Sequence, residues 1–234
     1  MNILMIDTSG PACGVAIASD GKLLYEASLE IGMTHSQRLM PMVDAALAMT
    51  GMEMKDIDLF GAVVGPGSFT GVRIGVSTVK ALAHAAGKPC IGIDALEALA
   101  MNVPEFDGMI CPILDARAQQ VYGAMFEPGV PPKRLLEDTA EKLAAFLDRV
   151  QATGKRAIFT GDGVAVSEKA IRERLGEKAV FAPAAQRGLR AGCAAMLAHQ
   201  YADKAQDYIT LLPLYLRAPQ AERERAAREA AKNG

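Results

Sequence analysis

Three short stretches hold residue types from which chemistry could be built. Ile6-Asp7-Thr8-Ser9 sets a carboxylate and two hydroxyls at the end of an apolar run, where an Asp and backbone amides can approach a phosphate or a metal. The same four residues also make an ordinary Asx/Ser hairpin turn. Gly65-Pro66-Gly67-Ser68-Phe69-Thr70-Gly71 joins an apolar run to a helical pattern, and the free N–H groups of a helix start can bind an anion. It does not match a Walker loop, and a structural strand-to-helix turn accounts for it equally well. Gly161-Asp162-Gly163 is a third turn of this kind, between a strand pattern and a helix.

Hydrolytic chemistry needs an activated nucleophile with its base, or a metal with bound water. Neither can be assembled. His35, His84 and His199 have no metal-ligand spacing, and Cys13, Cys90, Cys111 and Cys193 are far apart with no Cys-x-x-Cys pair, so they read as buried, reduced thiols. No catalytic residue and no metal ligand is assigned. Ile93-Asp94-Ala95-Leu96-Glu97-Ala98-Leu99 reads as a strand-to-helix junction in which Glu97 is a surface or capping residue.

The elements that must position these turns follow from periodicity. Asn2 to Asp7, Cys13 to Ala18 and Lys22 to Leu29 form an antiparallel meander around Thr8-Ser9-Gly10-Pro11 and Ser19-Asp20-Gly21. A helix over Thr34 to Thr50, capped by Thr34 or Ser36 and closed by Gly51, precedes a strand at Leu59 to Val64, a helix at Phe69 to Ala86 and a strand at Pro89 to Ile93. Gly71 and Gly75 lie one turn apart on the second helix and imply close packing there, opposite a polar stripe of Arg73, Ser77, Lys80 and His84. Three meandering strands followed by helix, strand, helix, strand describe a mixed sheet with helices packed on it, the order of an actin-like (ASKHA) lobe. In that fold Asp7, Thr8, Ser9, Gly161, Asp162 and Gly163 are the residual nucleotide-site positions.

The second half predicts a hairpin of Met109 to Leu114 and Gln120 to Phe126 around Asp115-Ala116-Arg117. Helices follow over Asp138 to Ala152, Val164 to Leu175 and Arg187 to Asp203, with a strand at Arg156 to Thr160. It resembles a shortened repeat of the first half, without a sequence-level repeat to prove duplication. The expected division is a first lobe over 1–103, a second over 104–212, and a segment 213–234 that returns to the first lobe and ends in a frayed helix.

The helix from Thr34 to Thr50 carries more apolar surface than one-sided packing requires. Leu39, Val43 and Ala46 form a stripe flanked by Met40/Leu47 and Met42/Met49, and Met33, Met52 and Met54 stand nearby. Either the helix is sunk deep between neighbours or it offers a second surface to a partner.

Bulk properties agree with a folded chain. Of 234 residues 50% are hydrophobic and 22% charged, enough for one domain or two lobes of about 100 to 130 residues each. A formal net charge of −2 supplies no basic field for a polyanion, which makes an independent nucleic-acid-binding module the weakest functional class. No basic leader and no stretch of 18 uncharged apolar residues is present, so the expected location is the cytoplasm, off the membrane.

Five motifs in order carry a resemblance over nearly the whole chain: Ile6-Asp7-Thr8-Ser9, Thr34-His35-Ser36, Gly65 through Gly75, Leu114-Asp115-Ala116-Arg117 and Pro213-Leu214-Tyr215-Leu216-Arg217. Together they resemble the TsaB (YeaZ) family. The resemblance implies a two-lobed actin-like fold and a role in making threonylcarbamoyladenosine at position 37 of tRNAs reading codons that begin with A. The family's part there is to bind and activate the paralogous catalytic subunit TsaD. That subunit carries His-Leu-Glu-Gly-His, with two metal-binding histidines, where this chain has Ala95 and Leu99, which have no donor atoms. The resemblance thus implies a scaffold subunit needing no cofactor of its own, with ATP and metal held in partner subunits. TsaE, an ATPase, belongs to the larger complex, tRNA is met only through it, and in isolation two copies can pair. The faces of the two N-terminal helices form the implied partner interface: Met33, Leu39, Met40, Met42, Val43, Ala46, Leu47, Val72, Arg73, Val76, Val79 and Lys80. On this reading a charge at Val43 or Val76 abolishes modification and leaves the monomer folded. The alternative is an actin-like-fold enzyme, glycoprotease-like or kinase-like, acting alone.

Overall fold

The computed structural model describes residues 1–32 and 34–217; Met33 and the helix expected over Gln220 to Gly234 lie outside the described residues. In the first sheet β1 (Asn2–Asp7), β2 (Cys13–Ser19) and β3 (Lys22–Leu29) form the expected meander, and β4 (Leu59–Gly65) and β5 (Cys90–Asp94) add in parallel, giving the order β3-β2-β1-β4-β5. Alternation along β1 sends Leu4 and Ile6 to one face, under α1 (His35–Thr50) and α2 (Phe69–Ala86), and Ile3 and Met5 to the other. Gly51 and Gly87, both left-handed, end the two helices. Thr34 occupies the cap position of α1 without capping through its side chain.

The second sheet contains β6 (Met109–Asp115), β7 (Gln120–Glu127), β8 (Lys133–Lys142), β9 (Ala157–Thr160) and β10 (Ala179–Phe181), in the order β10-β9-β6-β7-β8. With β6 to β10 matched to β1 to β5 in turn, this order is that of the first sheet. The duplication that no sequence repeat revealed is therefore present in topology, and the second lobe is shortened in the length of β9 and β10 rather than in strand number. α4 (Leu143–Ala152) and α5 (Gly163–Leu175) cover its outer face over Cys111, Ile113 and Phe159.

Between the sheets lie α3 (Ala95–Ala100) and α6 (Ala191–Gln200), in one apolar cluster with Ile3, Met5 and Ile91 from one side and Ile110, Phe126 and Ile158 from the other. α3, which follows β5, packs chiefly on β6, whereas α6, which follows β10, packs on β1, β2 and β3. Each half thus lends its last helix to the other. This corrects the assignment of the helix at 187–203 to the second lobe. An ion pair joins the halves beside this layer: Arg134 of β8 reaches Asp94 at 3.1 Å and also pairs with Asp138, with its guanidinium over the Phe126 ring. Burial and the adjoining Asp138 push the Asp94 carboxyl well above the usual carboxylate range, against the pull of Arg134.

Two further differences concern secondary structure. Residues 138–142, expected to begin a helix, finish β8, because Thr139 and Ala140 pair with Gly123 and Tyr122 of β7; tertiary pairing overrides a helix-forming composition. The return to the first lobe begins before residue 213. Gln206 exchanges backbone bonds with Cys90 at 2.8 and 2.9 Å, Leu211 is buried beside α2, and Leu214 N–H donates to Val64 O at 2.7 Å.

Candidate functional site

The turn after β1 is sealed by close packing. Asp7, Thr8 and Ser9 are all buried, and Asp7 Oδ1 accepts from both Ser9 N (2.8 Å) and Ser9 Oγ (2.6 Å). Burial pushes the Asp7 carboxyl up to about 6, with the Ser9 bonds opposing the rise. Thr8 Oγ1 donates to Gly71 O at 2.7 Å, and Ser68 N donates to Ser9 O at 2.7 Å, so the Gly65–Gly71 loop lies directly on the turn. A Cβ at Gly71 would stand 2.0 Å from Thr8 O, and one at Gly75 2.6 Å from Thr8 Oγ1. The glycines of this motif serve backbone approach, and Ser68 caps α2 by accepting from Gly71 N at 3.2 Å.

Above this seal lies a cleft of about 520 Å³ between the two sheets. Ser9 to Pro11, His35, Pro66 to Phe69, Leu114 to Arg117, Tyr122, Asp162 and Leu214 to Arg217 line it. All five motif stretches reach the cleft. Of the six nucleotide-site positions only Ser9 and Asp162 line it, while Asp7, Thr8, Gly161 and Gly163 do not. Asp162 Oδ1 accepts from Asp115 N at 3.0 Å, and burial raises its carboxyl. Gly161, at φ +100°, passes so close to Ile113 O that a Cβ would stand 2.1 Å away. The β6–β7 turn on the far wall lies where the expected hairpin places it, with Arg117, Ala118 and Gln119 at φ 64°, 51° and 58°, three successive non-glycine residues in left-handed conformation. The cleft offers hydroxyls, two carboxylates and two guanidinium groups, a lining suited to a polar ligand. Asp7, the acid at the end of β1, does not reach it and is shut beneath the loop with Oδ1 bonded to Ser9.

The junction after β5 does not fit a metal. Ala95 and Leu99 are fully buried in the apolar layer, Asp94 caps α3 by accepting from Glu97 N at 2.7 Å, and Glu97 accepts the Tyr201 hydroxyl at 2.5 Å. Glu97 is thus a half-buried partner of Tyr201, the residue just past α6, rather than a surface or capping residue. Among the described residues no group of three or more His, Cys, Asp or Glu could hold a metal ion. Cys13, Cys90 and Cys111 are buried free thiols, and Cys193 is half-buried with Sγ donating to Asn102 Oδ1 at 3.3 Å.

The outer face of the first lobe is a different kind of surface. Leu39, Met42, Val43 and Ala46 of α1 and Val72, Val76 and Val79 of α2 are buried in the chain's own core, which removes them from the expected partner interface. Of that set Met40 and Arg73 are exposed, and Leu47 and Lys80 half-buried. Met49 is 77% exposed, and Ala45 and Ala48 beside it and Ser77 and Ala81 on α2 also face outward. These small residues, absent from the sequence-derived interface, could have been found from the face opposite the Leu39/Val43/Ala46 stripe. Arg73 and Lys80 already have partners within the chain: Arg73 Nε donates to Tyr215 Oη at 2.9 Å, and Lys80 Nζ donates to Ile209 O (3.2 Å) and Leu211 O (3.1 Å).

Known proteins resemble this arrangement in sequence and in shape. Residues 30–225 match the family model described as TsaD, tRNA N6-adenosine threonylcarbamoyltransferase. The tRNA threonylcarbamoyladenosine biosynthesis protein TsaB of Bacillus subtilis is 34% identical over 95% of this chain and 96% of its own length. TsaB of Escherichia coli is 38% identical over 54% of this chain and 55% of its own. The solved structure of YeaZ from Pseudomonas aeruginosa superposes with a TM-score of 0.75 at 25% identity, over 92% of this chain and 99% of that one. With the duplicated actin-like sheets and the motif-lined cleft between them, these likenesses establish that the chain belongs to the TsaB family and has a role in the biosynthesis of tRNA threonylcarbamoyladenosine.

Proposed function

We propose that this chain is the non-catalytic subunit that binds and activates a TsaD-type catalytic paralogue in forming N6-threonylcarbamoyladenosine at position 37 of tRNAs reading codons that begin with A. One observation carries the reading: α1 leaves Met49 77% exposed, with Ala45 and Ala48 exposed on the same side of the helix, and Ser77 and Ala81 of α2 are exposed as well. Small residues let a second pair of helices approach closely, and each thioether fully covered contributes about 1.5–3 kcal/mol. A paralogue built on the same fold presents the equivalent helices, so like faces meet; without it, two copies of this chain pair through the same face. ATP, metal and the ATPase TsaE belong to the assembled complex, which meets tRNA in the cytoplasm. No helix among the described residues is long and apolar enough to cross a membrane.

The test is reconstituted threonylcarbamoylation of tRNA with and without this chain, combined with capture of the catalytic paralogue. Modification should require the chain, and Met49→Asp should lose both capture and activity. Full modification without the chain would sink the proposal, and ATP turnover by the purified chain alone would replace it with a kinase-like reading.

A further inference from the structure

The Pro213 to Arg217 motif has no part in the helix face, yet its side chains join three places. Tyr215 stacks on Phe69, the first residue of α2, with ring centroids 4.6 Å apart, and Phe69 also carries the Arg73 guanidinium 3.9 Å from its centroid. Arg73 holds the Tyr215 hydroxyl and is itself exposed on α2. Two residues on, Arg217 Nη1 donates to Ala116 O at 3.1 Å, in the second sheet's β6–β7 turn where the left-handed run begins. Local bonds also hold that turn, Arg117 N to Asp115 Oδ1 at 2.8 Å, Ala116 N to Gln120 O and Gln120 N to Arg117 O, each at 3.0 Å, and its flanks are tied by Leu143 N to Gln119 O and Asp115 N to Asp162 Oδ1, each at 3.0 Å; Arg217 is the tie that comes from the strap. Leu214 through Arg217, Phe69, Ala116 and Arg117 all line the cleft.

We infer that residues 205–217 form a strap that transmits occupancy of the outer face of α2 to the cleft, through Arg73, Tyr215 and Arg217. The inference rests on the proposed function for the identity of the occupant, the catalytic paralogue. A partner lying on α2 covers Arg73 and the neighbouring exposed Ile209 and Leu212 of the strap. Excluding water from the Arg73–Tyr215 bond strengthens it, which fixes the strap end and with it the bond from Arg217 to Ala116. The strained turn, and so the far wall of the cleft, is ordered from a surface that it does not touch.

Hydrogen exchange on the full chain, alone and with the purified paralogue, reads this directly. The expected result is slowing at α1 and α2 together with about tenfold slowing at the amides of residues 115–120, the size expected for tightening one charge-assisted bond. Arg217→Met and, separately, Tyr215→Phe should keep the slowing at α1 and α2 and lose it at 115–120. Tyr215→Phe preserves the ring stack, so it remains informative if Arg217→Met fails to fold. Slowing at α1 and α2 alone in the unaltered chain, or persistence at 115–120 in both variants, overturns the strap and leaves the proposed function standing. Absence of any slowing with the paralogue overturns both.

Discussion

The outer helix face and the interlobe cleft are built from opposite materials. The cleft collects every motif that marks the family, yet its glycines are taken up by backbone approach, its Asp7 is buried, and its lining is fixed by bonds between the motifs themselves. The face of α1 carries only the Thr34-His35-Ser36 motif, at its start, and consists mostly of Met, Ala and a few polar residues, with the Met49 thioether left in solvent. A concentration of motifs therefore marks where this chain must pack most closely, and the surface proposed for function is spelled by composition.

Four substitutions would break or sharpen that contrast. The largest effect belongs to Val43→Asp, an unpaired charge at a fully buried position of α1; it should cost about 3–5 kcal/mol and unfold the chain in thermal denaturation, contrary to the sequence-based expectation of a folded monomer. Gly71→Ala drives a Cβ into Thr8 O and should cost about 2–4 kcal/mol in urea unfolding, which tests whether the cleft motif is a packing device. Asp7→Asn comes next and has a signed pH dependence. The Asp7 carboxyl is raised from 3.8 to about 6, so its contribution to stability is present below about pH 4 and lost as pH rises through 6. The Asn variant keeps an acceptor for Ser9 and should be about 1–3 kcal/mol more stable than the parent at pH 8, with no gain at pH 4, in denaturant titrations at both values. Met49→Asp should change stability by no more than about 0.5 kcal/mol while weakening capture of the paralogue at least tenfold in a binding titration.

Elements that follow local rules were readable from the sequence. β1, β3 and α2 lie where alternation, turn residues and left-handed glycine ends place them, and the actin-like class followed from their order. β8 was not readable, because Lys133–Lys142 is rich in Glu, Asp, Lys and Leu and becomes a strand only by pairing with β7. β10 has three residues, too few for a period to register. In the site, the motifs foretold which stretches meet but not which atoms face the opening: Asp7 and Ser9 are two residues apart, one shut in and one lining the cleft. Periodicity likewise found the apolar side of α1 but could not say that its stripe meets the chain's own sheet and its flank meets solvent. The strap left no periodic trace, since it is held by isolated bonds from Arg73, Lys80 and Arg217.

The crossing-over of α3 and α6 bears on the order in which the molecule is completed during synthesis. The Ile3, Met5, Ala16 and Ala18 face of the first sheet is closed by a helix that ends at Gln200, after the entire second sheet. A nascent chain that has released only its first half holds a paired sheet with one bare apolar side, the kind of surface on which chaperones act and aggregates nucleate. The two halves share a topology, but neither is a finished unit: late residues complete the earliest strands, which ties the first lobe's stability to translation of nearly the whole chain.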